Sequence, residues 1–161
     1  MASNSATSAA DIAARELILT RVFDAPRELV FDAWTDPKHV AEWWGPRGYT
    51  ITLTEMDVRT GGVWKFDMHG PDGTVWVSKA DYIEVVKPER LVYMLGDEQS
   101  GDEGSFHVTV TFTEQGDKTL LRLRMLMKTA EQREQAVAFG AIPLGEQTLD
   151  KFGEFLATRS R

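Results

Sequence analysis

Three histidines, His39, His69 and His107, are the first residues to test for chemistry, because imidazole titrates near neutral pH and binds metals. Their placement favours neither role. His39 sits among charged neighbours in a segment of helical spacing. His69 and His107 occupy strand positions opposite Trp64, Phe66 and Met68 and opposite Phe106 and Val108, so alternation turns them to the polar side. All three are expected to face solvent. No His, Asp or Glu set recurs at ligating spacing, so no metal and no cofactor is expected. Asp67 and Asp81 stand within reach of Lys65 and Lys79 as surface pairs. Glu55 or Glu84, if turned inward, would gain a raised pKa and the capacity of a general acid. Asp150 reads as a surface residue. Gly61-Gly62 is a hairpin turn rather than a phosphate cradle, since no helix starts behind it. A Gly-x-Ser-x-Gly elbow is missing, and the absence of cysteine removes thiolate chemistry and disulfides. No catalytic residue is assigned.

What the sequence offers instead is aromatic surface. Trp43-Trp44-Gly45-Pro46 brings two indoles to the end of one local element and then turns away. Each ring can bury roughly 150–250 Å². Trp34, Trp64 and Trp76 add more. As ligand-binding candidates the helical segments offer Trp34 and Trp44. The strands offer Trp64, Phe66, Met68, Trp76, Ser78, Tyr82, Tyr93 and Phe106, with Ser78 and Tyr82 as hydrogen-bonding groups. The last helix offers Gly145, Leu149 and Phe152. The competing reading is an ordinary core, since one buried ring is worth ~1.5–3 kcal/mol with no ligand at all.

These residues need elements to hold them. A strand is expected from Glu16 to Asp24. A short helix follows with Pro26 at its first position and Val30, Phe31 and Trp34 on one side. Asp36 and Pro37 start a second short helix that Gly45-Pro46 ends. Alternation then marks strands at 49–58, 63–69, 75–86, 91–95, 106–113 and 121–127, with Gly70-Pro71-Asp72-Gly73 as a hairpin signal. Asp97 to Gly104 is polar and acidic and reads as an exposed loop. Thr129 caps a helix to about Phe139, and Pro143 opens the last one, with Leu149, Phe152 and Leu156 on one face. A one-sided antiparallel sheet needs a cover, and only the last helix is long enough to cross it. The two short helices are expected to act as a lid over a gap at the open end.

The chain has 161 residues, 42% of them hydrophobic and 27% charged, which suits one domain at 16–158 behind a disordered leader at 1–15 with a frayed helical turn near Asp11 to Arg15. A net charge of -7 with no basic run argues against nucleic acid. No segment is apolar for long enough to span a bilayer, and the start lacks a secretory signal, so a cytoplasmic location is expected. An exposed strand edge or aromatic patch leaves a homodimer open.

Ala25-Pro26, Val30-Phe31, Ala33, Thr35-Asp36-Pro37 and Trp43-Trp44-Gly45-Pro46 together resemble the bacterial branch of the Hsp90-ATPase-activator-homologue (AHSA1-like) family. The resemblance continues through Gly61-Gly62-Val63-Trp64, Met68, Gly70-Pro71-Asp72-Gly73 and Pro88-Glu89-Arg90-Leu91-Val92-Tyr93. It ends with Val108 to Phe112 and Gln147-Thr148-Leu149-Asp150, and so covers roughly Leu17 to Leu156. It implies an α+β helix-grip fold of the START-related, Bet v 1-like superfamily: a curved antiparallel sheet around a long C-terminal helix, over an apolar cavity. It implies a hydrophobic small molecule as partner. Two alternatives are a chaperone-activating interaction module and a cyclase- or hydrolase-type enzyme. The short leader leaves no room for the activator's separate N-terminal domain, which argues against Hsp90 as partner, and strand parity supplies no polar dyad for an enzyme. Family members commonly carry Gly-Trp just before Gln-Thr-Leu-Asp, where this chain has Gly145-Glu146. Loss of that ring is expected to enlarge the pocket beside Gly145.

Overall fold

The computed structural model describes residues 9–98, 101 and 104–159. In chain order the elements are α1 (Ala9–Arg15), β1 (Glu16–Phe23), α2 (Arg27–Thr35), α3 (Pro37–Trp43), β2 (Thr50–Met56), β3 (Val63–His69) and β4 (Val75–Val86). Then come β5 (Arg90–Asp97), β6 (Phe106–Gln115), β7 (Lys118–Leu126), α4 (Ala130–Phe139) and α5 (Ala141–Arg159). The strands form one antiparallel sheet in the order β1-β7-β6-β5-β4-β3-β2. Sequential strands pair by hairpins, and β1 closes on β7, so β1 and β2 are the two edges. Register shifts at Leu53/Glu55 and Tyr82/Glu84 insert bulges, which sharpen the local bend. The sheet curves around α5, and this is the α+β helix-grip arrangement.

Local chemistry sets the helix ends. The Asp36 carboxylate accepts from the Lys38 N–H at 2.9 Å, and Pro37 occupies the first position of α3. Thr129 Oγ1 accepts from the Gln132 N–H at 3.0 Å. Gly140, at φ +106°, ends α4 in the left-handed region where a side chain would be strained. Two expected starts move. Pro26 is the N-cap of α2 rather than its first residue. α5 starts at Ala141, with Pro143 inside its first turn, where the missing N–H breaks no intrahelical bond.

The core is aromatic and centres on α5. Phe152 is fully buried against Trp43 (centroids 4.4 Å apart), Phe23 (5.0 Å) and Trp34 (5.2 Å). The Trp43 indole donates to the Ala33 carbonyl at 2.9 Å, so this ring is both packed and satisfied. The helices α2 and α3 bury Val30, Phe31, Ala33, Trp34, Val40 and Trp43. They are therefore part of the core rather than the lid expected from their length. Phe31 meets Phe112 of β6 edge-on, which ties α2 to the sheet. On the sheet, Trp64 stacks on Phe66 at 4.4 Å and Tyr82 meets Tyr93 at 5.8 Å.

Within the leader, the helical turn expected near Asp11 to Arg15 is the longer helix α1, Ala9–Arg15. Arg15 fixes α1 by pairing with Asp11 at 3.1 Å and donating to the Met127 carbonyl at 3.0 Å. Residues 1–8 lie outside the described residues. Of the expected acidic loop at 97–104, Asp97 is the last residue of β5, and residues 99, 100, 102 and 103 also lie outside them.

Two outcomes follow from this packing. Phe152→Ala is expected to cost ~3–5 kcal/mol in denaturant unfolding, the range for emptying a buried ring. A loss below ~1 kcal/mol would show that the aromatic cluster does not hold α5. Burial raises the pKa of Tyr82 and of Tyr93, with the Tyr93 neighbour adding to the shift at Tyr82 and Trp34 partly offsetting it at Tyr93. Unfolded tyrosine ionises near ~10, so the stability these rings confer is complete below that pH. It is lost as the pH climbs from there toward the raised folded values. Tyr82→Phe with Tyr93→Phe is expected to flatten the alkaline loss of stability, measured by urea melts across the alkaline range.

Candidate functional site

The element α4 does not join the core: none of its residues is buried. It stands off the sheet, and between it and the ends of β3–β7 lies a cleft of about 950 Å³. Phe66 and Met68 of β3, Trp76 and Ser78 of β4 and Phe106 of β6 face it from the sheet. Ala136 and Phe139 face it from α4. Below it a smaller chamber of about 200 Å³ reaches under α5, floored by Trp34, Tyr93, Val108 and Leu149. Trp44, Met68, Phe106, Met125, Ala141 and Leu144 border both spaces.

Trp44 is set in place by the turn that follows it. Lys151 of α5 donates to the Pro46 carbonyl at 3.4 Å, Gln147 accepts from the Arg47 N–H at 3.2 Å, and Arg47 pairs with Glu154 at 2.5 Å. Burial lowers the pKa of Lys151, and Arg47 adds to the effect. Arg47 in turn holds the Glu154 carboxyl below its ordinary value. The Trp44 ring then stands edge-on to Trp64 at 4.7 Å and to Trp34 at 5.9 Å. At the other wall, Gln132 ties α4 down by accepting from the Lys128 N–H at 2.8 Å and donating to the Gly104 carbonyl at 3.0 Å.

The sequence-derived candidates divide. Trp34, Trp44, Phe66, Met68, Trp76, Ser78, Tyr93, Phe106, Gly145 and Leu149 border one space or both. Trp64, Tyr82 and Phe152 border neither, being 1%, 3% and 0% exposed and packed ring to ring. Ser78 spends its hydroxyl on the Trp76 carbonyl at 3.1 Å. Gly145 borders the chamber, but a Cβ there would lie 2.6 Å from Leu19 Cδ1, so its bareness serves the approach of α5 to β1. Glu146 turns to Arg21 at 2.5 Å on the outer side. Gly145 therefore borders a pocket, while the side chain standing in place of the absent tryptophan points away from it toward Arg21. Strand parity alone could have added Leu95 and Met125. Nothing in the sequence marked the α4 wall, because that segment has no apolar stripe.

The titratable groups sort differently from expectation at one place. His39 is not solvent-directed: its ring lies 5.2 Å from that of Phe155 and its Nδ1 is buried without a partner. His69 Nε2 is 2.9 Å from Thr52 Oγ1, and His107 is exposed. Glu55 and Glu84 do not turn inward. Glu55 stands 3.9 Å from Lys65, and Glu84 is 2.6 Å from Arg90, whose hydrogen bond lowers its pKa. Asp81 pairs with Lys79 at 3.5 Å and Asp150 with Arg21 at 2.7 Å. Charged groups reach only the rim of the outer cleft, as Asp97, Lys128 and Glu131, and none lines the inner chamber. Among the described residues no three His, Cys, Asp or Glu gather closely enough to hold a metal ion, and no helix is long and apolar enough to cross a membrane.

The fold is shared widely. A solution structure of a protein from Arthrobacter aurescens superposes with a TM-score of 0.85 at 23% identity, covering 92% of this chain and 89% of that one. A crystal structure of a Mycobacterium smegmatis protein gives 0.81 at 24% identity over 91% and 93%. The AHSA1 protein of Silicibacter pomeroyi gives 0.72 at 21% identity over 89% and 99%. Among curated proteins no sequence matches significantly. The sequence profile of the Activator of Hsp90 ATPase homolog 1-like proteins matches residues 24–157, from the end of β1 to the last turn of α5. With the grip of the sheet on α5 and the Trp43–Pro46 corner both inside that match, the chain belongs to the AHSA1 family.

Proposed function

We propose that this chain binds an apolar or amphipathic small molecule between α4 and the sheet, as a carrier or sensor that performs no chemistry on it. The gradient of polarity supports this reading: a rim with charged groups, then an aromatic and thioether wall, then a chamber with no charge. Removing 100 Å² of apolar ligand surface from water is worth ~2.5 kcal/mol, and Trp44, Met68 and Phe106 offer that contact at every depth. Methionine adapts its shape to the guest, so Met68, Met125 and Met127 favour a class of ligands over one rigid shape. Membership of the family fits an activator-type domain equally well; the cleft is what favours the small molecule.

Titration with anilinonaphthalenesulfonate and with long-chain alcohols is expected to give a saturable change in tryptophan emission, because Trp44 borders both spaces. Ala141→Trp, placed at the passage between them, is expected to weaken binding by roughly tenfold, equivalent to ~1.4 kcal/mol, with little change in melting temperature. No saturable response with any probe, or stimulation of an Hsp90 ATPase instead, would overturn the reading.

A further inference from the structure

Among the described residues Phe139 is the most exposed large hydrophobic side chain, at 68%. Val137 and Ile142, at 38% and 39%, stand within three positions of it, so the three gather at the junction of α4 and α5. They belong to a run, residues 136–145, with no polar or charged side chain, in a chain where 27% of residues are charged. The same run lines the cleft through Ala136, Phe139, Ala141 and Leu144. Apolar surface therefore continues from the outside of the junction into the space beneath α4. The backbone there is closed as well. The Gly140 N–H donates to the Ala136 and Val137 carbonyls at 3.2 and 3.0 Å, and its carbonyl accepts from the Leu144 N–H at 3.0 Å. Pro143 has no N–H to satisfy. An apolar phase penalises unpaired peptide groups, so this pairing lowers the cost of leaving water.

We propose that the α4–α5 junction docks on a lipid surface of no net charge, with Val137, Phe139 and Ile142 entering the acyl boundary and the mouth of the cleft opening onto it. Area argues for lipid over a protein partner. The three side chains together present on the order of 250 Å², since even a whole ring carries only roughly 150–250 Å². A stable protein interface takes ~800 Å² from each partner. A fluid bilayer needs no such matching face, because it yields around a few inserted side chains. Charge selects the kind of lipid. The nearest charged residues in sequence on either side of the run are acids, Glu134 and Glu146, and the chain carries a net charge of -7. Anionic headgroups would repel it, and zwitterionic ones would not. Among the described residues no helix is long and apolar enough to cross a membrane, so the contact is peripheral. A docked mouth gives a ligand a path between lipid and cleft along apolar surface. That use rests on the small-molecule reading; the docking itself does not.

The chain has no cysteine, so one introduced thiol carries a nitrobenzoxadiazole label at a single place. Ala138→Cys puts the label at an exposed position between Val137 and Phe139, and Asp117→Cys puts it in the β6–β7 turn, at the end of that hairpin away from the cleft. With vesicles of dioleoylphosphatidylcholine, emission from position 138 is expected to move to the blue and saturate with lipid, while position 117 stays unchanged. In the Ala138→Cys background, Phe139→Ser with Ile142→Ser is expected to raise the half-saturating lipid concentration at least about fivefold. Its melting temperature is expected to stay that of the parent, since both side chains are exposed. Adding phosphatidylglycerol to the vesicles is expected to weaken the response. No shift at position 138, equal shifts at both positions, or a double-serine variant that responds like its parent would overturn the docking. A shift at position 138 that grows with protein concentration in lipid-free buffer would overturn it in favour of a second copy of the chain. A stronger response to phosphatidylglycerol would overturn the choice of a neutral surface. Saturable binding of anilinonaphthalenesulfonate in lipid-free buffer reports on the small-molecule reading alone, so either reading can fail while the other stands.

Discussion

The clamp of α5 on the sheet through Phe152 is the constraint from which the rest of the structure follows. One ring touches Phe23 of β1, Trp34 of α2 and Trp43 of α3, so a single α5 position fixes three consecutive elements from the other end of the chain. Aromatic contacts of this kind add ~0.5–1.5 kcal/mol each beyond the area they bury. They also have angular preferences that oil-like packing lacks. Gly145 and Gly153 extend the same contact along α5, where a Cβ would meet Leu19 and Phe23 respectively. Helix and edge strand therefore approach closely on one side, and that closeness uses up the length over which α5 can cover the sheet.

What α5 leaves uncovered becomes the cleft. The rings of α2, α3 and the adjoining strand segments fill the space at one end of the sheet. At the other end, the strand termini are roofed by α4, a helix with polar groups all round and no buried residue. Such a helix gains little from burial and is held instead by polar contacts: Thr129 at one end, Gly140 at the other, Gln132 reaching to Gly104 and Arg133 donating to the Glu16 carbonyl at 2.8 Å. A wall fixed by caps and tethers can stand away from the sheet without collapsing onto it, which a helix with an apolar stripe could not do. Thus the low hydrophobicity of α4 and the existence of the space beneath it are one fact.

The same physics separates what could be read in the sequence from what could not. Strands declared themselves by alternation, and the caps at Asp36 and Thr129 by side-chain chemistry that needs no tertiary context. The Trp43–Pro46 corner carried the family. Parity, however, tells only which face a residue is on. Trp64 and Phe66 share a face, yet Trp64 is sealed under Phe66, Tyr93 and Trp44, while Phe66 reaches the cleft. Depth along the strand decides between them, and depth depends on where α5 crosses. His39 was misplaced for a related reason. Its charged neighbours in sequence suggest water, but the helix turns its ring onto Phe155. The short helices were misread as a lid because length alone does not show how many of their residues are buried.

Trp34 sits where the core and the site become the same thing. Its ring is as much a part of the clamp as Phe152, which it meets at 5.2 Å, and it also floors the inner chamber. Its indole nitrogen is shut away from that space and turns to the Tyr93 hydroxyl. Trp43, one helix away, donates to a backbone carbonyl instead. The rings that build the core are therefore the rings that shape the hollow, and a change at Trp34 cannot alter the chamber without loosening the clamp on α5.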